Sequence, residues 1–439
     1  MLRTHNCGEL SGKQAGEKVV LAGWIDTLRI QGKIGFMLLR DRYGITQIFL
    51  NPQLAKEFGS LSKESVVMVE GEVKKRPENQ VKKEMSTGEI EVSASKIEIL
   101  SQAETPLPIE ITEETTTNID KRLDYRFLDL RRKKISAIFK IRSQVAALTY
   151  QFFIQEGFIS IQTPKLTQAG VESGAEEFKI DYFGKKASLA QSPQIYKQMF
   201  VVSGLDKVFE LGTIFRAEKS HTTRHLTEFT GIDFEMAFIR DEHDIMDVIE
   251  KYLKFLLQGV NEECKEELEI LNIKLNIPKK IPRIQLDEMK ILLKAKGKIV
   301  PPDDDLDAEA EKMMGDIVKE KYKSDFFFAL GYPWKKRPFY HMKLDSNSKT
   351  TKSFDLVYNG VEIATGAQRE HRLHILEQQC KEKGLDLKKL EFYREIFRYG
   401  VPPHGGVGLG LDRIIEQMLN LGNVREAILL PRDPERLTP

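Results

Sequence analysis

A chain of 439 residues, 41% hydrophobic and 30% charged, has the composition of a soluble globular protein and is too long for one ordinary core, so two domains are expected. Its net charge of +1 gives no global pull toward nucleic acid, and no apolar run approaches the roughly 20 residues of a membrane span. The opening Met-Leu-Arg-Thr-His-Asn has neither the apolar core nor the cleavage site of a signal peptide, and Cys7, Cys264 and Cys380 form neither a disulfide framework nor a zinc pattern; a reducing cytoplasm is the expected compartment, with no membrane partner.

In chain order, residues 19–100 hold five strand-like segments separated by turn residues, with a helical stretch at 53–58 between the third and fourth. That order suits an OB barrel over residues 1–102, a common platform for single-stranded nucleic acid, although the pattern alone leaves other small β-barrels open. Lys74, Lys75, Arg76, Lys82 and Lys83 flank Pro77 in an expected hairpin loop suited to phosphate contact. Residues 103–118 are polar and proline-bearing, and a basic stretch from Lys121 to Lys134 follows; 103–134 reads as a hinge. Helical periodicity over 135–156 opens a second domain, 135–439, of mixed strands and helices, giving an α+β chain. Within it, the charged, helix-prone region 262–323 reads as an insertion, and its Asp303-Asp304-Asp305 run as a solvated loop rather than a metal site.

Three stretches carry chemistry. Gly157-Phe-Ile-Ser-Ile-Gln-Thr-Pro164 is a strand closed by a proline. Phe215-Arg216-Ala-Glu218, continuing through Arg224-His225-Leu226 to Phe229, places an arginine, a carboxylate and an aromatic around a short loop. His404-Gly-Gly406-Val-Gly408-Leu-Gly410-Leu-Asp-Arg413 runs alternating glycines into an amphipathic helix, so that backbone, helix N-terminus and Arg413 can approach an anion. It is neither GxxxxGK[ST] nor GxGxxG after a βαβ strand, which excludes the P-loop and dinucleotide readings. His221 and His225 have the spacing of a zinc pair but no evident third ligand, so zinc is not expected.

In this order the three stretches resemble motifs 1, 2 and 3 of the class II aminoacyl-tRNA synthetases. The resemblance to the aspartyl-tRNA synthetases, in their compact archaeal form, runs over essentially the whole chain. It implies an OB anticodon domain joined to a catalytic domain with an antiparallel sheet flanked by helices. It implies attachment of L-aspartate to tRNA(Asp) by ATP through an aspartyl-adenylate, with Mg²⁺, in a homodimer built on motif 1.

Joining a carboxylate to ATP brings two anions together, so the site must supply fixed positive charge. By resemblance, Arg216 bridges the amino acid carboxylate and the α-phosphate, and Arg413 meets the terminal phosphate; these two are the catalytic residues. Glu218 accepts from the adenine amino group and Phe229 stacks on the ring, with Arg224, His225, Leu226, Glu362 and Gly410 completing the ATP site. Period-two alternation on two strands would aim Asp355 and Glu362 into one cleft. In the family these acids hold Mg²⁺, and the position of Thr365 also contacts metal or amino acid.

The segment Gln191-Ser192-Pro193-Gln194-Ile-Tyr-Lys197 bears on substrate choice. A buried aspartate side chain needs cations, and Lys197 and Arg369 would supply them. The aspartyl enzymes carry lysine here and the asparaginyl enzymes a neutral residue, which makes an asparaginyl-tRNA synthetase the second choice; a non-catalytic RNA-binding paralogue is the rival from another class. Ser192, Gln194 and Asp233 match positions around the α-amino group, and Glu172 lies in a stretch resembling the loop that closes over the substrate. Phe36 and Gln47 match positions that stack on and contact the central anticodon base, with a barrel-core role as the alternative for Phe36. The discriminating archaeal type carries tryptophan at the position of Asp26, so acceptance of tRNA(Asn) stays open. Two further departures are Leu411-Asp412, where archaeal enzymes often have Ala-Glu, and a more bacterial-looking stretch at 228–233.

Overall fold

The computed structural model describes residues 2–114, 116–168, 176–219, 222–345 and 348–439. The chain divides into two compact units, Met1–Glu110 and Ile111–Pro439.

In the first unit five strands close into a barrel: β1 (Lys18–Gln31), β2 (Ile34–Arg40), β3 (Ile45–Leu50), β4 (Val66–Lys75) and β5 (Ile90–Ser101), in the order β1-β2-β3-β5-β4. Helix α1 (Pro52–Phe58) sits between β3 and β4, as the sequence predicts. Asn51 starts it by accepting from the Leu54 amide, and Pro52 supplies the preset φ of a first helical residue. Alternating apolar residues fill the barrel: Met37 and Leu39 of β2 and Ile48 and Leu50 of β3 are fully buried, while β3 also buries Thr46 and Gln47. The OB architecture read from the turn spacing is what forms.

The second unit opens with α2 (Ile119–Asp124), α3 (Arg126–Asp129) and the long α4 (Lys133–Gln155). Helix α4 buries Ile135, Ile138, Ile141, Val145, Leu148 and Phe152, the three-four spacing of one helical face. The basic stretch expected in the hinge is largely consumed here. Arg126 and Arg132 bind the buried Asp129 at 2.8 and 2.9 Å, and Arg122 joins at 3.1 Å. Three short strands, β7 (Leu166–Gln168), β8 (Lys179–Tyr182) and β9 (Lys185–Leu189), follow β6 (Ile159–Ser160) and make a small sheet of order β7-β9-β8. Then come α5 (Gln194–Phe200), β10 (Lys207–Phe215), β11 (Glu228–Ala237), α6 (Glu242–Glu263) and α7 (Lys265–Leu271).

Beyond them lie β12 (Arg283–Gln285), α8 (Leu286–Ala295), α9 (Ala308–Tyr322), β13 (Phe326–Leu330), β14 (Ser353–Tyr358) and β15 (Val361–Gln368). The chain ends with α10 (Leu373–Glu382), α11 (Glu391–Ile396), β16 (His404–Gly410) and α12 (Leu411–Met418). The main sheet has the order β12-β13-β14-β15-β16-β11-β10-β6; it is antiparallel except at its two ends, where β12 pairs parallel with β13 and β6 parallel with β10. One face packs on α4 and α6 through Phe234, Phe354, Leu356 and Val407, among others. The alternate residues, Asp233, Glu235 and Asp355, face the other way and are buried there too. A polar floor therefore backs onto an apolar core across a single sheet.

The region expected as an insertion is welded to the sheet edge. It contributes β12 and packs α8 and α9 around Met289, Leu293, Met314 and Val318 against Phe327 and Val357. Its acid run is only partly a solvated loop. Asp304 pairs with Lys336 at 2.9 Å, while burial, and then the like charge of Asp355, push the Asp305 carboxyl up. Among the described residues, no helix is long and apolar enough to cross a membrane.

Candidate active site

A cavity of about 360 Å³ opens on the polar face of the main sheet. Its lining takes in most of the residues singled out from sequence: Ser192, Gln194, Arg216, Glu218, Arg224, His225, Leu226, Phe229, Asp233, Glu362, Thr365, Arg369, Gly410 and Arg413. Lys197 and Asp355 stand behind the wall. Glu172, like His221, lies outside the described residues.

One end is built for an anion. Arg216 follows β10; its amide donates to Thr227 O at 2.9 Å, and its guanidinium lies 5.3 Å from the centre of the Phe229 ring. Its Nε is buried with no partner among the described residues. Arg413, in the first turn of α12, donates from Nη1 to Glu362 O at 2.9 Å and from Nε to Arg224 O at 3.3 Å. Arg413 thus joins the β10–β11 loop to β15. Burial, and then the Arg413 charge, hold the His225 imidazole below its usual range. At neutral pH it is an uncharged ring, with Nδ1 2.6 Å from Thr222 Oγ1.

Simple alternation does not bring the two acids together. Asp355 pairs across the sheet with Thr365, so Glu362, an odd number of residues away, should face the other side. The register between β14 and β15 slips at Leu356/Val357, leaving Ile363 as an extra residue. That bulge turns Glu362 to the cavity side, where Thr365 Oγ1 donates to its Oε1 at 3.2 Å. Burial, and then Asp355, push the Glu362 carboxyl up. Asp355 Oδ2 accepts from Arg337 Nη2 at 2.6 Å, and its Oδ1 is buried without a partner among the described residues. Two crowded carboxylates with an orphaned oxygen fit a divalent cation that prefers oxygen ligands.

At the other end Lys197, 2% exposed, is no surface lysine. It donates to Asp233 Oδ1 and Val407 O, both at 3.0 Å, and lies 3.5 Å from Glu235. Arg369 donates from Nε to Glu235 Oε1 at 2.9 Å and from Nη2 to Gln194 Oε1 at 3.1 Å, and its Nη1 meets His341 Nε2 at 3.0 Å. Glu235 therefore sits between the two cations. Burial opposes its ionisation, but Arg369 and then Lys197 outweigh that and hold its carboxyl below the usual range. His341 is kept neutral by burial and by Arg369. Behind them Gln198 ties the site together: its Oε1 accepts from Gln194 Nε2 at 3.1 Å and from the Tyr393 hydroxyl at 3.0 Å.

The glycines of β16 have separate uses. A Cβ on Gly406 would lie 2.1 Å from Phe234 O and 2.2 Å from Glu235 Oε2, so this glycine makes room for the protein's own carboxylate. A Cβ on Gly408 would come within 3.1 Å of Asp233 Oδ1, whereas Gly410 has only distant neighbours at 3.8 Å and beyond and leaves the cavity open. Next to it, the departure Asp412 is a buried junction. Its Oδ2 accepts from the Thr230 amide at 2.7 Å and its Oδ1 from Arg142 of α4, which pins β11 and α4 to the start of α12.

Sequence reasoning missed Glu235, Arg337 and His341, and named Asp412 only as a departure without giving it a role. Glu235 was findable, because it is two residues from Asp233 on the same strand face. The other three depend on tertiary packing.

In the barrel unit, Phe36 is half-buried on the outer face, edge to face with Phe49 at 5.8 Å; the core positions are Met37 and Leu39. Gln47 donates from Nε2 to Glu91 at 2.9 Å. Asp26 lies 3.5 Å from Arg40, which also pairs with Glu64 at 2.6 Å.

An OB barrel, an antiparallel sheet floored with acids, and arginines from the β10–β11 loop and α12 define a class of enzyme that activates a carboxylic acid with ATP. Residues 118–434 match the family of class II tRNA synthetases (D, K and N), and residues 19–100 match the OB-fold nucleic acid binding domain. The chain is 45% identical, over the full length of both, to an aspartate–tRNA(Asp) ligase of Pyrococcus horikoshii. It is 43% identical to an aspartate–tRNA(Asp/Asn) ligase of Aeropyrum pernix, over 97% of this chain and 96% of that one. Among solved structures, an asparaginyl-tRNA synthetase from Pyrococcus horikoshii in complex with asparaginyl-adenylate aligns with a TM-score of 0.91 at 34% identity, covering 100% of both chains. An aspartyl-tRNA synthetase from Entamoeba histolytica gives 0.89 at 31%, over 100% of this chain and 93% of that one. The chain belongs to the class II tRNA synthetases of the aspartyl, lysyl and asparaginyl group.

Proposed function

We propose that this chain activates L-aspartate with ATP and transfers the aspartyl group to tRNA(Asp). The observation that carries the choice of amino acid is the buried pair Lys197 and Arg369: Arg369 lines the cavity and Lys197 stands directly behind its wall. An aspartate side chain meets them as a carboxylate, beside the acids Glu235 and Asp233 that already pair with them; asparagine, nearly isosteric but neutral, turns amide N–H donors toward groups that can only donate. Asp233 suits the substrate's ammonium. Arg216 bridges the α-carboxylate and the α-phosphate, neutralising the charge that develops as the carboxylate oxygen attacks and pyrophosphate departs. Glu218 and Phe229 take the adenine, and Arg224, His225 and Arg413 the distal phosphates. Asp355 and Glu362, with Thr365, would hold Mg²⁺, which when bound neutralises phosphate charge. The three cysteines, all buried and free, suit a reducing cytoplasm. The test is ATP–pyrophosphate exchange with each amino acid. Aspartate-dependent exchange with asparagine nearly inert is expected, and equal exchange with both would sink the assignment.

Phe36 on the outer barrel face is positioned for stacking on an anticodon base. Phe36→Ala is expected to raise the tRNA KM about tenfold to a hundredfold, the equivalent of roughly 1–3 kcal/mol of stacking, and to leave pyrophosphate exchange and the melting curve nearly unaltered. An unchanged tRNA KM would remove the anticodon role. The reading extends to tRNA(Asn), because Asp26 stands in place of tryptophan and relatives of both specificities are similar to this chain; charging tRNA(Asp) and tRNA(Asn) transcripts side by side decides it.

The proposal includes a homodimer. The outermost strand β6 and the end of α4 leave Ile159, Ile154 and Tyr150 exposed at 45%, 59% and 37%, an unpaired edge beside apolar side chains. An obligate two-fold interface of more than about 2,000 Å² would cover them. Light scattering that finds an active monomer at micromolar concentration would contradict this.

A further inference from the structure

Helix α9 brings to the phosphate end of the cavity a carboxylate that the three motifs do not include. The helix is seated directly on the β14–β15 turn. A Cβ on Gly315 would lie 2.7 Å from Gly360 N, and one on Gly360 would lie 2.7 Å from Lys312 Cα. That turn joins the strands bearing Asp355 and Glu362, so α9 is held in fixed register with them. One helical turn before Gly315, Glu311 reaches over the hairpin, its side chain 16% exposed, and sets Oε2 3.6 Å from Arg224 Nη1. Arg224 is thereby held at two points: Arg413 Nε donates to its carbonyl at 3.3 Å, and Glu311 meets its guanidinium. An arginine on an irregular loop otherwise loses much rotamer freedom when it binds phosphate.

We infer that Glu311 is a positioning residue for nucleotide binding, acting through Arg224 by holding its guanidinium at the cavity wall so that the triphosphate meets a donor already in place. This rests on the reading that the cavity takes ATP. Burial, and then the like charge of Glu362, push the Glu311 carboxyl up to about 8. The Arg224 charge opposes that rise, and the contact, at 3.6 Å, is an ion pair rather than a hydrogen bond.

The test is a double-mutant cycle on the full-length protein, with calorimetric binding of ATP in the presence of Mg²⁺ and separate KM values for ATP and aspartate in exchange. Glu311→Met, which keeps length but removes both oxygens, is expected to raise the ATP Kd at least fivefold and to leave the aspartate KM unchanged. Glu311→Gln keeps the shape but not the charge of the ion pair and should raise the ATP Kd by a similar factor. In an Arg224→Gln background Glu311→Met should have no further effect, which is the signature of action through Arg224. A general loosening of α9 would appear in both backgrounds and so overturns the inference, as does a wild-type Kd for Glu311→Met. If Glu311→Met is not recovered folded, Glu311→Ala takes its place under the same criteria. Wild-type protein that binds no ATP would refute the underlying reading instead.

Discussion

Arg216→Ala is expected to lower aspartate-dependent pyrophosphate exchange by about 10²–10³-fold while the protein stays folded. The size follows from removing one fixed donor aimed at charge that develops only in the transition state. The fold should tolerate the change. Arg216 has no carboxylate to abandon among the contacts described, and its stacking over Phe229 contributes about 0.5–1 kcal/mol at such a partly exposed site. Arg216→Lys should recover little activity, because an ammonium on a flexible stem cannot bridge two anions with the geometry of a planar fork. The measurement is exchange rate against melting temperature for both variants. Exchange within tenfold of wild type in a folded Arg216→Ala protein would take the arginine out of the reaction.

What could be read in the sequence, and what could not, follows from the range of the interactions. The barrel's strands and α1 were legible because turn residues separate short strand-like segments and a helical stretch, all local signals, although that pattern alone left other small barrels open. The three motifs were legible because each places its chemistry within a few residues. Glu362 faces the cavity for a reason alternation does not contain: the bulge at Ile363 shows only in the pairing of two strands. The basic run reads only as part of a hinge, yet Asp129 and Glu426 take up its arginines, and Glu426 lies some 300 residues away in sequence. Region 262–323 reads as a charged insertion, but β12 joins the main sheet and Asp305 and Glu311 reach toward the site, contacts that no local pattern encodes.

On the proposed reading, Glu235 is where substrate choice and stability meet. With 0% side-chain exposure it pairs with Arg369 at 2.9 Å and stands 3.5 Å from Lys197. Glu235→Gln preserves the shape but leaves two buried cations short of a counter-charge, which should cost about 3–5 kcal/mol and lower the melting temperature by several degrees. Because the folded-state carboxyl is held below its ordinary range, its stabilisation is full above the unfolded pKa and disappears as pH falls through the depressed value. The gap between wild type and Glu235→Gln should therefore be constant near neutrality and close in acid. On the proposed reading L-aspartate brings its own carboxylate to Arg369 and Lys197, so it should raise the melting temperature of Glu235→Gln by more than that of wild type, and asparagine should not. Melting curves of both proteins with each amino acid settle the matter. If aspartate and asparagine stabilise the variant equally, then Lys197 and Arg369 are structural cations held by Glu235, and the substrate side chain is read elsewhere.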